Sequence, residues 1–257
     1  MGLCLGRSRD RWIVAAWRLM QSFSEALYEA FALIIAFDGE LREIILLSLT
    51  VSLSAVLIAA LVGLPAGAWL ATTTSRWRPV LITLVSSLMG LPPVVVGLVV
   101  YLLLSNAGVL GPLQLLYTPT AMIIAQAILI TPILIALTRE TLAQLYEQHR
   151  EQLVLLGATA GQRMRTLLWE GRHGLLTALL AGFGRAIAEV GAVIIVGGNI
   201  NHVTRVMTTT IALETSKGNL ALALGLGIVL VLIAVSVNAA VLALSASVRR
   251  HGHALHG

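Results

Sequence analysis

Charge is absent from three long stretches of this chain, Ile44 to Leu70, Pro79 to Thr138 and Gly218 to Val248, and is dense between the last two. A helix needs about 20 apolar residues to cross a hydrocarbon layer, so the first and last stretches predict one span each, at 44–70 and 220–244. The middle stretch, sixty residues long, must hold two. Its break falls at Ser105 to Thr120, where Asn106, Gly108, Gly111, Pro112 and Pro119 concentrate turn chemistry, leaving spans at 80–104 and 121–137. A fifth helix, 174–196, is apolar apart from Arg185 and Glu189. The pattern therefore predicts an all-α membrane protein built as a five-helix transmembrane bundle, with no internal repeat and no linker dividing it.

The polar insertion at 139–173 carries Arg139, Arg150, Arg163, Arg165 and Arg172, which hydrocarbon cannot accommodate together, so it must stand in water. Leu153, Leu156, Ala160, Met164, Leu167 and Leu168 recur at spacings of three and four and form one stripe of a helix. Gly157 and Gly161 interrupt that stripe, each unfavourable in a helix interior by about 1 kcal/mol relative to Ala. Two short helices set at an angle are expected.

From Glu151 the insertion runs as Glu, five residues, Gly157, nine residues, Leu167. This resembles the cytoplasmic loop of binding-protein-dependent ABC transporter permeases, whose pattern is Glu-Ala-Ala, three residues, Gly, nine residues, then a hydrophobic residue and often Leu-Pro. Gln152 and Leu153 replace the two alanines, and Trp169-Glu170 stands where Leu-Pro is usual. That variant, with GRHGLLTALLAGFGRAIAEVGAVIIVGGNI (171–200) and TRVMTTTIALETSKGN (204–219), resembles the tungstate-type oxyanion permeases. The resemblance extends from about residue 20 to the last span. It implies an ATPase-docking loop formed by Glu151, Leu153, Leu156, Gly157, Ala158, Gly161, Arg163, Met164 and Leu167. It also implies a second copy of the chain, ABC ATPase subunits and an extracytoplasmic oxyanion-binding protein as partners. Tungstate is the substrate implied, with molybdate and sulfate left open because the binding protein usually selects the anion.

Composition agrees with a lipid setting: 11% of residues are charged and 58% apolar, against about 25% charged in soluble domains. With the docking loop in the cytosol, that side holds nine arginines, at 76, 78, 249, 250 and the five of the loop, against Arg205 and Lys217 in the outer loops. This satisfies the positive-inside rule and predicts a bacterial or archaeal cytoplasmic membrane protein. The basic pI of about 10.1 then reflects arginines facing anionic headgroups, not nucleic acid. The expected organisation is an N-terminal interfacial segment at 1–43, a permease domain at 44–248 and a basic tail at 249–257. In the N-terminal segment, Trp12 to Phe37 reads as an amphipathic interfacial helix, since Arg18, Glu25 and Glu29 share one face. A sixth span there, or a natural start at Met20, remains open, and a signal peptide is not indicated.

Within the spans, Arg185 and Glu189 demand explanation, because a lone charge at mid-bilayer costs roughly 2.5–3.5 kcal/mol. Spaced i and i+4, they either form an ion pair that permits insertion or place Arg185 along an anion pathway with Glu189 orienting it. Gly182, Gly184, Ala186, Ala188, Gly191 and Ala192 on the same helix favour close packing. Gly90-Leu91-Pro92-Pro93 must kink or break the second span, as a simple bend or as a pathway lining. It resembles the Leu-Pro-Pro element of molybdate, sulfate and tungstate permeases. Pro65 and Pro132 read as plain kinks.

The outer segment 197–218 carries Asn199, Asn201, His202, Arg205, Thr208, Thr209, Thr210 and Lys217 with one acid, Glu214, and suits the mouth of an oxyanion path. The candidate path thus comprises Pro92, Pro93, Arg185, Glu189, Asn199, Arg205 and Thr208. Cys4 is the single cysteine and all six histidines lie outside the spans, so no catalytic or metal residues are assigned. No Gly-rich phosphate loop ending in Gly-Lys-Ser/Thr is present, which assigns ATP and Mg to a partner ATPase and no cofactor to this chain. An intramembrane enzyme lacks paired acids or a Ser/His arrangement at depth. A passive channel or scaffold is the remaining alternative to a permease subunit.

Overall fold

The computed structural model describes residues 27, 28, 30–32 and 39–253, with side-chain surroundings given up to 239 apart from residue 154. The expectations for a start at Met20 and for residues 254–257, and for Trp12 to Phe37 apart from residues 27, 28 and 30–32, lie outside the described residues. Those residues form helices and no β-strand: α1 (Gly39–Thr72), α2 (Arg78–Met89), α3 (Pro93–Leu104), a 3-10 turn (Gly111–Leu113), α4 (Pro119–Leu155), α5 (Ala160–Glu170), α6 (Arg172–Ile187), α7 (Gly191–Gly197), α8 (Met207–Lys217) and α9 (Leu220–His253). Among them, α1, α4 and α9 are each long and apolar enough to cross a membrane alone. The pairs α2/α3 and α6/α7 qualify only if each bent pair is one span, giving up to five.

The bundle is organised on the seam between α1 and α4. A Cβ added at Gly63 would lie 2.8 Å from Leu134 Cβ, and one at Gly67 only 2.6 Å from Thr138 Cβ and 2.8 Å from the Ile135 carbonyl oxygen. Two glycines four residues apart therefore let the backbones touch, as dispersion packing in lipid requires. Along this seam the buried side chains form successive layers. Val51 joins Val96, Val100, Met122, Ala125, Val193 and Val196. Ala55 and Ala59 meet Ile130, Leu134, Ala178 and Ala186. Ala68 and Ala71 meet Leu142, Tyr146, Leu153, Leu167 and Leu175. A further layer joins the start of α1 to α6 and α9 through Leu41, Ile44, Phe183, Ile187, Met207 and Leu226.

Pro65 and Pro132, expected as plain kinks, lie inside α1 and α4, which continue past them, a tolerance found where neighbouring helices pack around the freed backbone groups. Several other elements differ from the pattern-based expectation. Helix α4 does not stop near residue 137: it runs on to Leu155, because Leu142 and Tyr146 keep packing on Ala68 and Ala71. The stretch from 174 to 196 is not one helix but two, meeting at 57° around residues 188–190. At Gly90-Leu91-Pro92-Pro93, the interruption the sequence does predict, the bend is 95°, with Pro92 extended (φ −62°, ψ 125°) and Pro93 opening α3, the helix position where a missing N–H costs nothing. The two bends are neighbours: Gly191 lies against Val94, and a Cβ at Gly97 would meet Ala192 Cα at 2.7 Å. Finally, α9 continues over 249–253, so the first residues of the basic tail are helical.

Gly67→Ala should lower thermal stability in detergent by about 1–3 kcal/mol, the usual cost of overpacking. Gly227→Ala, where the new methyl meets open space, should leave stability unchanged or raise it by about 0.5–1 kcal/mol. Equal melting temperatures for the two variants would contradict the seam as described.

Candidate docking handle and translocation path

The handle is built from the end of α4, a turn, and α5. Gly157 has φ +65°, a left-handed conformation that only glycine adopts without strain, and it is this residue that ends α4. The helix restarts through a capping box: the Thr159 N–H donates to Gln162 Oε1 at 2.8 Å, and the Gln162 N–H donates to Thr159 Oγ1 at 3.4 Å. The Thr-x-x-Gln spacing was readable in the sequence and went unused. Gly161 lies inside α5 and breaks nothing; one short helix and one long continuous arm replace the expected two short helices.

The apolar stripe divides into a buried and a free half. Leu153 and Leu167 anchor the handle to the bundle, with Ala158, Met164 and Leu168 packed beside them. Leu155 and Leu156 project into the open at 86% and 81% exposure, and Trp169 is also exposed. Leu156 leaves the stripe because α4 ends at Leu155 and Leu156 belongs to the turn; Ala160, at the start of α5, is exposed as well. Arg163 donates to the Tyr146 hydroxyl at 3.3 Å, tying α5 to α4. Arg172 lies over the Trp169 ring at 5.0 Å and donates to the Trp169 carbonyl at 2.8 Å, fixing the corner into α6. Glu151 is exposed and, with Glu147, Arg150 and Leu155, lines one open hollow. A second hollow is lined by Gly161, Met164, Arg165, Thr166, Leu168 and Trp169.

The candidate path residues fall into two groups. At the bends, Pro92 and Pro93 precede Val94, which lies against Gly191 at the α7 start, and Glu189 occupies the break rather than a continuous helix. Its Oε2 lies 3.7 Å from Arg185 Nη2, its Oε1 accepts the Ala192 N–H at 3.2 Å, and its backbone carbonyl accepts the Thr208 hydroxyl at 2.8 Å. Glu189 thus closes the start of α7 as well as facing Arg185. The carboxylate is buried, whereas the Arg185 side chain is 45% exposed. It sits on an open face of α6 with Thr177, Ala181, Gly184 and Ala188.

The second group lies beyond the far end of α7. Asn199 Oδ1 accepts the Thr209 hydroxyl at 2.9 Å, and Arg205 pairs with Glu40 at 3.1 Å. His202 meets Glu43 at 2.8 Å, and the Met207 N–H donates to Ser48 Oγ at 2.8 Å, so the loop is stitched along one side of α1. Thr208, Thr209 and Thr210 are buried with hydroxyls spent on protein acceptors. Lys217, counted in the basic lip, pairs with Glu214 at 2.9 Å; the Lys217 contact holds the Glu214 carboxyl below the usual carboxylate range against the opposing effect of burial. Glu40 and Glu43 were missed because their partners are about 160 residues away, which no local pattern records.

Comparison with known proteins places this geometry. Residues 63–250 match the family model described as binding-protein-dependent transport system inner membrane component. The chain is 41% identical over 185 residues to a probable anion ABC transporter permease protein of Haloferax volcanii, covering 70% of this chain and 80% of that protein. It is 41% identical over 204 residues to the tungstate uptake system permease protein TupB of Peptoclostridium acidaminophilum, covering 78% and 88%. The fold is shared with a chain of the bacterial alginate ABC transporter solved with an alginate-pentasaccharide-bound periplasmic protein. The TM-score is 0.66 at 18% identity, covering 92% of this chain and 95% of that one. A family match over most of its length, together with such relatives, means that the chain belongs to the binding-protein-dependent transport system inner membrane components, multi-pass transport subunits rather than enzymes.

Proposed function

We propose that this chain is the membrane subunit of an ATP-driven importer of a tetrahedral oxyanion, with tungstate as the substrate, delivered by a separate extracytoplasmic binding protein. Two copies form the path, and an ABC ATPase that holds ATP and Mg docks on each handle. The observation that carries the reading is the handle itself. Leu153 and Leu167 fix it to the bundle while Leu155, Leu156 and Trp169 stay bare. An apolar tip in water is costly to leave uncovered, by about 25 cal/mol per Å² of apolar surface, and suits a partner's groove. Glu151, Arg150 and Arg165 around the tip supply polar contacts at its rim.

A paired assembly is supported by Arg185. A half-exposed guanidinium on a small-residue face at membrane depth is unfavourable towards lipid and favourable towards water or a second copy. A face of Thr177, Ala181, Gly184 and Ala188 leaves room for a hydrated anion or a neighbouring backbone, and the arginine gives that room a positive field. Tungstate as the anion rests on the similarity to the tungstate uptake permease.

Reconstitution with the ATPase and binding protein in proteoliposomes tests the function. Tungstate should stimulate ATP hydrolysis and enter the vesicles more effectively than molybdate or sulfate. Equal or greater stimulation by another oxyanion would reassign the substrate, and uptake without ATP would make the chain a channel. Gly157→Leu, which forces a side chain onto a left-handed backbone at the docking tip, should abolish uptake with membrane insertion intact; unchanged uptake would place docking elsewhere. Arg185→Gln should cut uptake by roughly tenfold or more, the worth of one charge-assisted hydrogen bond, with assembly preserved. Parallel loss of assembly would reduce Arg185 to a structural partner of Glu189.

A further inference from the structure

Gln126 is a polar residue in the third turn of α4, only 4% exposed, among the apolar side chains that pack α1, α4 and α6. Its Nε2 donates to the Ala186 carbonyl at 3.0 Å, and its Oε1 is buried with no hydrogen-bond partner. The orientation is fixed by chemistry, since only the nitrogen end can donate to a carbonyl. Ala186 is not an arbitrary partner. Its carbonyl also accepts the Glu189 N–H at 3.1 Å and the Ala188 N–H, so it is the last acceptor before the α6–α7 break. On the opposite side, the Thr208 hydroxyl of α8 donates to the Glu189 carbonyl at 2.8 Å. The break is therefore held by one side chain from α4 and one from α8, with Glu189 closing the start of α7 between them.

Stability does not account for Gln126. A buried acceptor left unpaired is unfavourable, and an apolar side chain of the same length would remove it. The unused oxygen has a use if the break has a second arrangement, in which an amide released from the turn needs an acceptor. The break is also where such a change would be felt. Helix α5 passes through Gly171 directly into α6, which ends at the break, and α7 leads on to the loop stitched to α1.

We propose that Gln126 and Thr208 are positioning residues that clamp the α6–α7 break, and that the idle Gln126 Oε1 receives a backbone amide when the break changes angle during transport. The second half rests on the transport function proposed above. The clamp acts through backbone groups and requires no contact with substrate. Its chemistry is a two-position hydrogen-bonding switch: donor engaged in this state, donor and acceptor exchanged or both engaged in the other.

The test measures the break directly. In the assembled complex in nanodiscs, Cys4 is replaced by Ser and spin labels are placed at Thr177→Cys on α6 and Ile194→Cys on α7, diluted so that one labelled copy is read. The parent should give a narrow distance distribution without nucleotide and a shifted one when trapped with ATP. Gln126→Met and Thr208→Val should each broaden the nucleotide-free distribution by about twofold and abolish the shift, with unchanged or higher melting temperature for Gln126→Met. Distributions superimposable on the parent in both states would overturn the clamp. So would a parent that imports with ATP while its distance stays fixed, or a melting temperature that falls in step with the broadening. If the parent shows no ATP-driven uptake, the transport reading fails, and the nucleotide-free widths still decide the clamp.

Discussion

Hydrocarbon offers no hydrogen bonds, so each backbone group freed by an interrupted helix must find a partner inside the protein, and two interrupted helices meet in this bundle. At the first bend the need is reduced at source, because Pro92 and Pro93 bring no N–H. At the second it is met by side chains, Glu189 for the Ala192 amide and Thr208 for the Glu189 carbonyl, while Gln126 adds a donor to an Ala186 carbonyl that already accepts the Glu189 N–H. The bends touch through Gly191 and Val94 and through Gly97 and Ala192, so satisfying one also positions the other.

That constraint also orders what could be read from the chain. Charge-free runs and turn residues were enough for the all-α membrane class, since lipid imposes length and apolarity on any span. The Pro92–Pro93 bend was legible because proline changes the backbone by itself. The break at 188–190 was not, because nothing local marks it: alanine, glutamate and valine are compatible with a helix, and only contacts from Gln126, sixty residues earlier, and Thr208 hold it open. In the handle, Gly157 and the distance to Leu167 were readable. Leu156 and Ala160 fall outside the packed stripe because the helix ends at Leu155 and both residues flank the exposed turn at the left-handed Gly157.

The outer loop shows the same division between local and distant information. Its threonines and Asn199 were visible as a polar cluster, yet their hydroxyls are turned inward to Glu189, Asn199 and Val206. The charges of Arg205 and Lys217 are met by Glu40 and Glu214. A polar composition thus identified a structured cap and not, by itself, a surface that meets solute. Arg185 differs in its position, since it keeps nearly half its side chain free within a helix of the bundle and not in the outer loop.

One feature of α4 sets the mechanics of the assembly. Its 37 residues make a rod of about 55 Å, of which the charge-free portion to Thr138 accounts for about 30 Å. The remaining 25 Å or so is rigid helix, braced by the end of α1 through Leu142 and Tyr146. Under the docking proposed for the ATPase, a motor seated on its tip would stand clear of the headgroup layer and work through a piston instead of a tether. Force applied there reaches the bilayer interior as displacement, with little lost to slack.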